Sequence, residues 1–172
     1  PERDDIVAVL KRGILKIDGE KFLPDKSLTR AEFITEVFNT FSFLPKNVYN
    51  EAYGDIFGDE WFAGTVQAAS DYSLIEHEMT SDGKFMPNAP ISLGESLSVL
   101  VNVMKNTFHR EPKNTGVGES NWKKVAFTKA EALGIVPEFA LDEGTLDENL
   151  TRGHAACLFE LALNVRKHSS QD

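Results

Sequence analysis

Apolar residues recur along this chain at helical spacing in three places that resemble one another. Residues 33–41, 97–108 and 156–165 carry dense aliphatic and aromatic positions three and four apart, the stripe that an amphipathic helix buries. Ile34, Leu97 and Ala156 align, as do Val37, Leu100 and Phe159, and Phe41, Met104 and Leu163. Each run is introduced by a related phrase: Leu28-Thr29-Arg30-Ala31-Glu32, Ile91-Ser92-Leu93-Gly94-Glu95 and Leu150-Thr151-Arg152-Gly153-His154. The phrases begin 63 residues (28 to 91) and 59 residues (91 to 150) apart. Recurrence at a nearly fixed period predicts a repeat architecture.

A second set of helices precedes these. Residues 1–15, 61–75 and 122–136 align without a gap. Ile6, Val66 and Phe127 share one column, Val9, Ala69 and Ala130 the next, and Ile14, Leu74 and Ile135 a third. Trp61 and Trp122 open the second and third runs, with Pro1 at the matching place in the first. Gly13 and Gly134 stand where a helix ends in a left-handed residue, and Ser73 fills that place as a weaker stop. Polar loops join the helices. Asp18-Gly19 and Asp82-Gly83 predict tight turns, followed by Phe22-x-Pro24 and Phe85-x-Pro87. The third loop has Gly144 in place of the Phe and Leu146 in place of the Pro.

The phrases themselves predict helix starts. Thr29 is a good N-cap, and Glu32 reaches back to its N–H, completing a capping box worth on the order of 1 kcal/mol. Ser92 and Glu95 repeat the box without an arginine, and Thr151 caps without the glutamate. Arg30 and Arg152 occupy first helical positions, where a guanidinium fork and a helix N-terminus both favour a carboxylate. The competing expectation is that both are solvated or paired with some of the 27 acidic residues. Trp61 and Trp122 are either exposed aromatic faces or partly buried packing residues.

At 172 residues and 41% hydrophobic content the chain can form one domain or three small units sharing a core. The net charge of −9 argues against a nucleic-acid partner and an anionic membrane surface, and no apolar run approaches a membrane span. No signal peptide is visible, and the start inside the first unit suggests a processed or truncated piece. The single cysteine, Cys157, excludes an internal disulfide and reads as a small buried apolar residue. His77, His109, His154 and His168 lack zinc-site spacing, and no nucleophile elbow, phosphate loop or dinucleotide fingerprint is present. Asp55, Asp59 and Glu60 lack a calcium-loop pattern and read as helix-start acids. No catalytic residue, metal or cofactor is expected.

The order of these features resembles the S-layer homology family. Asp55-x5-Trp61-Phe62, Leu74-Ile75, Asp82-Gly83-Lys84-Phe85-Met86-Pro87 and Ile91 carry the likeness in the second unit, and Leu28-Thr29-Arg30-Ala31-Glu32 carries it in the first. The resemblance implies an all-α fold of three helix-loop-helix repeats, 1–45 (truncated at its start), 46–108 and 109–172. Together they would form one domain with pseudo-threefold symmetry around a central three-helix bundle. It also implies an extracellular anchor on the cell wall or S-layer surface, holding a larger surface protein to a secondary cell-wall polysaccharide, often pyruvylated, bound in grooves between repeats. Arg30, Arg152, Trp61 and Trp122 are the expected carbohydrate contacts. Thr29, Glu32, Ser92, Glu95 and Thr151 are the expected caps. On this reading Arg30→Ala weakens wall binding with little loss of thermal stability, and the groove that needs an arginine at Leu93 is altered or dead. The alternative is a degenerate structural or protein-interaction module that no longer binds sugar.

Overall fold

A computed structural model describes residues 2–12, 22–48, 52–112, 118–140 and 143–167. Six α-helices account for most of them: α1 Glu2–Lys11, α2 Arg30–Phe41, α3 Ala63–Asp71, α4 Leu93–Phe108, α5 Trp122–Leu133 and α6 Arg152–Lys167. Short 3-10 turns lie at His77–Met79, Glu138–Ala140 and Glu143–Thr145. The fold is all-α, and the described residues contain isolated bridges but no strand or sheet.

The aligned columns are the buried ones. Ile34, Val37 and Phe41 on α2, Leu97, Leu100 and Met104 on α4, and Ala156, Phe159 and Leu163 on α6 belong to one continuous apolar cluster. Val66, Ala69 and Leu74 join it from the second unit, and Phe127, Ala130 and Ile135 from the third. Ile6 packs against its edge. The Val9 side chain, Ile14, Gly13 and the Asp18-Gly19 turn lie outside the described residues. Phe33 of α2 stacks on Phe159 of α6 with ring centroids 5.4 Å apart, tying two second helices together. Cys157 is buried.

Helix ends follow the turn chemistry. Gly134 closes α5 in the left-handed region at φ 75°, and Ser73, at φ 53°, takes the same conformation after α3. Leu23 and Met86, the middle residues of the two Phe-x-Pro segments, are also left-handed, at φ 54° and 57°. A side chain raises the energy of this conformation, so its recurrence marks a loop geometry held by its surroundings. The third loop, which lacks both Phe and Pro, forms the 3-10 turn Glu143–Thr145 instead.

Hydrogen bonds link the phrases in a closed cycle. Leu28 N–H donates to Leu150 O (3.0 Å), Leu150 N–H to Ile91 O (2.8 Å), and Ile91 N–H to Leu28 O (3.0 Å). The first two N–H groups of each second helix, which lack partners within the helix, extend the pattern outward. Arg30 and Ala31 donate to Ala89 O and Pro87 O, Leu93 and Gly94 to Glu148 O and Leu146 O, and Arg152 and Gly153 to Lys26 O and Pro24 O. Each helix start therefore docks on the loop of the following unit, and the third docks on the first. Helix packing runs the same way: α2 lies on α3, α4 on α5 and α6 on α1. The helix-loop-helix units thus make their main helix contacts across the seams.

Candidate functional site

The seams are built from the caps upward. Thr29 Oγ1 accepts from Glu32 N–H (3.2 Å), and Glu32 Oε2 accepts from Thr29 N–H (2.8 Å). Ser92 and Glu95 form the same reciprocal pair at 3.3 and 3.1 Å. Thr151 Oγ1 accepts from His154 N–H at 3.2 Å, with no return bond because a histidine stands in the glutamate position.

Arg30 turns inward. It is 7% exposed. Its Nη2 donates to Glu95 Oε1 at 2.6 Å, its Nη1 to Met79 O (2.6 Å) and Phe85 O (2.9 Å), and its Nε to Glu95 Oε2 at a longer 3.4 Å. Four of its five N–H groups thus go to the second unit. Glu95 meanwhile caps its own helix through Ser92 N–H. A groove ligand would have to compete with a buried ion pair. The expectation that Arg30→Ala spares thermal stability therefore does not hold on physical grounds: truncation leaves the Glu95 carboxylate, 9% exposed, without its partner.

Arg152 repeats the geometry at the seam between the third and first units. It is 7% exposed, its Nε donates to Phe22 O at 2.9 Å, and its guanidinium carbon lies 5.1 Å from the Phe22 ring centroid. Phe22 and Phe85 are the matching loop aromatics, so both arginines read the carbonyl of the same loop residue. At the remaining seam the pattern breaks on both sides at once. Leu93 replaces the arginine and His154 replaces the glutamate, and both line a 170 Å³ pocket with Phe139 and Glu148. His154 stacks on Phe139 at 3.8 Å between centroids. An aromatic contact stands where an ion pair would otherwise lie.

The two tryptophans differ. Trp61 is 67% exposed and lies edge-on to Phe62, just before α3 rather than on it. Trp122 is half-buried at the start of α5, with Lys123 Nζ 5.7 Å from its ring centroid. It lines a 300 Å³ groove at the α4–α5 seam with Ser98, Asn102, Glu76, Glu78, Glu119 and Lys129. Asn102 Nδ2 donates to Glu76 Oε1 (2.9 Å), and Glu119 Oε1 accepts from Asn121 N–H (2.9 Å), which fixes two of the acidic groups. The seams bring Trp122 into a groove but bring neither arginine to it.

Residues 2–34, from α1 through the Leu28–Glu32 phrase, match the S-layer homology domain model. The first unit thus resembles the S-layer homology family. Similarity to curated proteins runs well past that segment. Over 142 residues the chain is 28% identical to "Exoglucanase XynX" of Acetivibrio thermocellus, covering 77% of this chain and 13% of that protein. It is 28% identical over 145 residues to "Middle cell wall protein" of Brevibacillus brevis, covering 82% of this chain and 12% of the relative. It is 26% identical over 148 residues to "Surface layer protein" of Brevibacillus choshinensis, with 84% and 12% covered. The chain thus spans only 12–13% of the length of these relatives.

Asp55 and Glu60, two of the acids before Trp61, pin loops instead of starting a helix. Asp55 accepts from Phe85 N–H (2.8 Å) and Met86 N–H (2.7 Å), holding the left-handed Phe-Met-Pro turn against the body of the unit. Glu60 accepts from Phe57 N–H and Gly58 N–H, and the Phe57 bond is the main reason its carboxyl titrates below the usual value. The described residues contain no cluster of three or more histidine, cysteine or acidic side chains placed to hold a metal. No described helix is long and apolar enough to cross a membrane. The sequence pattern contained the Asp55–Phe85 spacing, but the pairing needs the loop's return path. The groove acids Glu76, Glu78 and Glu119 had no motif to mark them.

Proposed function

We propose that this chain is a cell-wall anchor: three S-layer homology units, pseudo-threefold in arrangement, that tether a surface protein to the envelope by binding a wall polysaccharide. The observation that carries this reading is the Trp122 groove at the α4–α5 seam, a concave surface combining an aromatic face with fixed polar groups. Such a combination suits a sugar ring, whose C–H face stacks on the indole while its hydroxyls meet the polar side chains. The hydrogen-bond cycle supports the pseudo-threefold arrangement, and the names of two relatives, a cell wall protein and a surface layer protein, support the location. The role is binding, not catalysis; the exoglucanase relative is aligned over only 13% of its length, so its activity is not carried over.

The chain is expected to co-sediment with purified wall sacculi that retain their polysaccharide and not with sacculi stripped of it. Trp122→Ala should weaken binding by about threefold to tenfold, the loss of roughly one good stacking contact. Unchanged retention by the variant would remove the groove from the mechanism. A pyruvylated polymer, the finer expectation, depended on Arg30 and Arg152 meeting a carboxylate. Their burial favours a second reading, in which the phrase has a structural role only and sugar binding is lost. Absence of binding to any sacculi would establish that reading.

A further inference from the structure

Gly94 lies buried in the first turn of α4, on the seam that holds the Trp122 groove, but it does not line that groove. A Cβ built there would meet Lys123 Cδ at 2.9 Å, Lys123 Cβ at 3.0 Å and Leu146 O at 3.0 Å. The carbonyl is not the obstacle. Gly94 N–H donates to Leu146 O, and the aligned Ala31 makes the matching bond to Pro87 O with its methyl in place. The aligned Gly153 has more room, 3.3 Å to Pro24 Cβ and 3.4 Å to Pro24 O. The close approach of a lysine stem sets Gly94 apart from Gly153. Lys123 follows Trp122 in the first turn of α5. Its stem lies against Gly94, its Nζ binds Asp147 Oδ1 at 2.6 Å, and the same Nζ stands 5.7 Å from the Trp122 ring centroid. A Cβ is fixed to its backbone, so no rotamer of Lys123 relieves the 3.0 Å contact; the start of α5 must move, and Trp122 with it.

The first seam shows the other arrangement. Ala31 carries the methyl, α3 starts at Ala63 instead of at the tryptophan, and Trp61 is exposed. The caps act in the same sense. Asn121 accepts from Lys123 N–H and Lys124 N–H, which winds Trp122 into the first turn. Glu60, at the matching place, accepts instead from Phe57 N–H and Gly58 N–H of the preceding loop. The cap sets where α5 begins, and Gly94 sets how near that beginning lies to α4. Resting on the anchor reading above, we infer that Gly94 is a positioning residue for the wall-binding groove. Its missing side chain lets the Lys123 stem close on α4 and so seats the Trp122 ring where a sugar stacks. A single methyl at position 94 moves the ring outward and weakens binding, although neither Gly94 nor Lys123 lines the groove.

The test reads the ring and the wall separately. In the full chain carrying Trp61→Phe, Trp122 is the single tryptophan. Gly94→Ala, which favours a helix by propensity, should shift its emission to the red and raise its quenching by acrylamide, with helix content by circular dichroism unchanged. Binding to sacculi that retain their polysaccharide should weaken severalfold, up to the about threefold to tenfold expected of Trp122→Ala. Gly153→Ala, the matched change at the third–first seam, should leave the emission and the binding as they were. On a Lys123→Gly background, which deletes both stem atoms, Gly94→Ala should add no further shift. Unchanged emission in Gly94→Ala, an equal shift in Gly153→Ala, or the same added shift on Lys123→Gly overturns the inference. A loss of helix content in Gly94→Ala that Lys123→Gly does not restore overturns it too, as does a displaced ring with full retention when the parent binds sacculi. If the parent itself is not retained, the anchor reading falls, and the emission alone decides whether Gly94 places Trp122.

Discussion

Removing Arg30 offers the sharpest test of how the seams are held. The substitution Arg30→Met keeps the length of the side chain and its helix propensity but deletes the guanidinium. Three acceptors lose their donor: the Glu95 carboxylate and the carbonyls of Met79 and Phe85. An unpaired buried charge costs about 3–5 kcal/mol, and an orphaned buried carbonyl about 1–3 kcal/mol where water cannot reach it. Relaxation and water entry overlap these terms, so the expected loss is about 3–5 kcal/mol in total. At about 2–4 °C per kcal/mol for a chain of this size, the midpoint should fall by roughly 6–20 °C. Glu95→Gln removes the charge while retaining an oxygen for Ser92 N–H. In the double variant Arg30→Met/Glu95→Gln no buried charge is stranded, and the cost should drop to about 1–3 kcal/mol. Urea unfolding of the four proteins closes a double-mutant cycle, with an expected coupling of at least about 2 kcal/mol. Additive single effects, or an Arg30→Met variant within about 0.5 kcal/mol of the parent, would refute the buried-clamp account.

The altered seam makes a complementary prediction. Leu93→Arg alone places a charge in the Leu93–His154 pocket and should destabilise by about 1–3 kcal/mol, whereas adding His154→Glu should recover at least half of that; no recovery would break the correspondence with Arg30–Glu95. Gly64 sits where a Cβ would lie 2.6 Å from Lys46 O, so Gly64→Ala should cost about 1–3 kcal/mol by forcing the 45–48 segment away from α3, and a neutral result in chemical denaturation would mean that the segment moves easily. Burial raises the Tyr53 phenol above its ordinary value of 10.0, so its contribution is intact below that pH and is lost as pH rises through the folded-state value. Tyr53→Phe should flatten the alkaline fall in stability; an unchanged profile would assign the fall elsewhere. Glu60 has the opposite sign. Its lowered carboxyl stabilises the 57–61 loop at neutral pH and releases it as pH falls below the usual carboxylate range, which Trp61 fluorescence should report in the parent and not in Glu60→Gln.

Much of the fold was legible because burial follows period. The columns through Ile34, Leu97 and Ala156 and through Val66 and Phe127 need only a helix and a core to be predicted, and both are present. The caps were legible because Thr29–Glu32 and Ser92–Glu95 are bonded within one turn. What escaped was everything that crosses a seam. Arg30 looks like a surface donor until its helix start is docked on the next unit's loop, where Glu95 and two carbonyls surround it. The joint loss of arginine at Leu93 and glutamate at His154 reads as two separate departures until a single pocket holds both. Trp61 and Trp122 occupy one aligned column, yet α3 starts two residues later than α5 in that alignment, leaving the first ring in solvent and the second in a groove.

The cycle through Leu28, Leu150 and Ile91 makes each phrase depend on the other two. Each phrase is acceptor to one neighbour and donor to the other, so excising one member strands a main-chain donor on one side and an acceptor on the other, while inserting a fourth would pry the circle open. The outer contacts can therefore differ from cleft to cleft, as at Leu93 and His154, while the inner main-chain ring joins all three phrases alike.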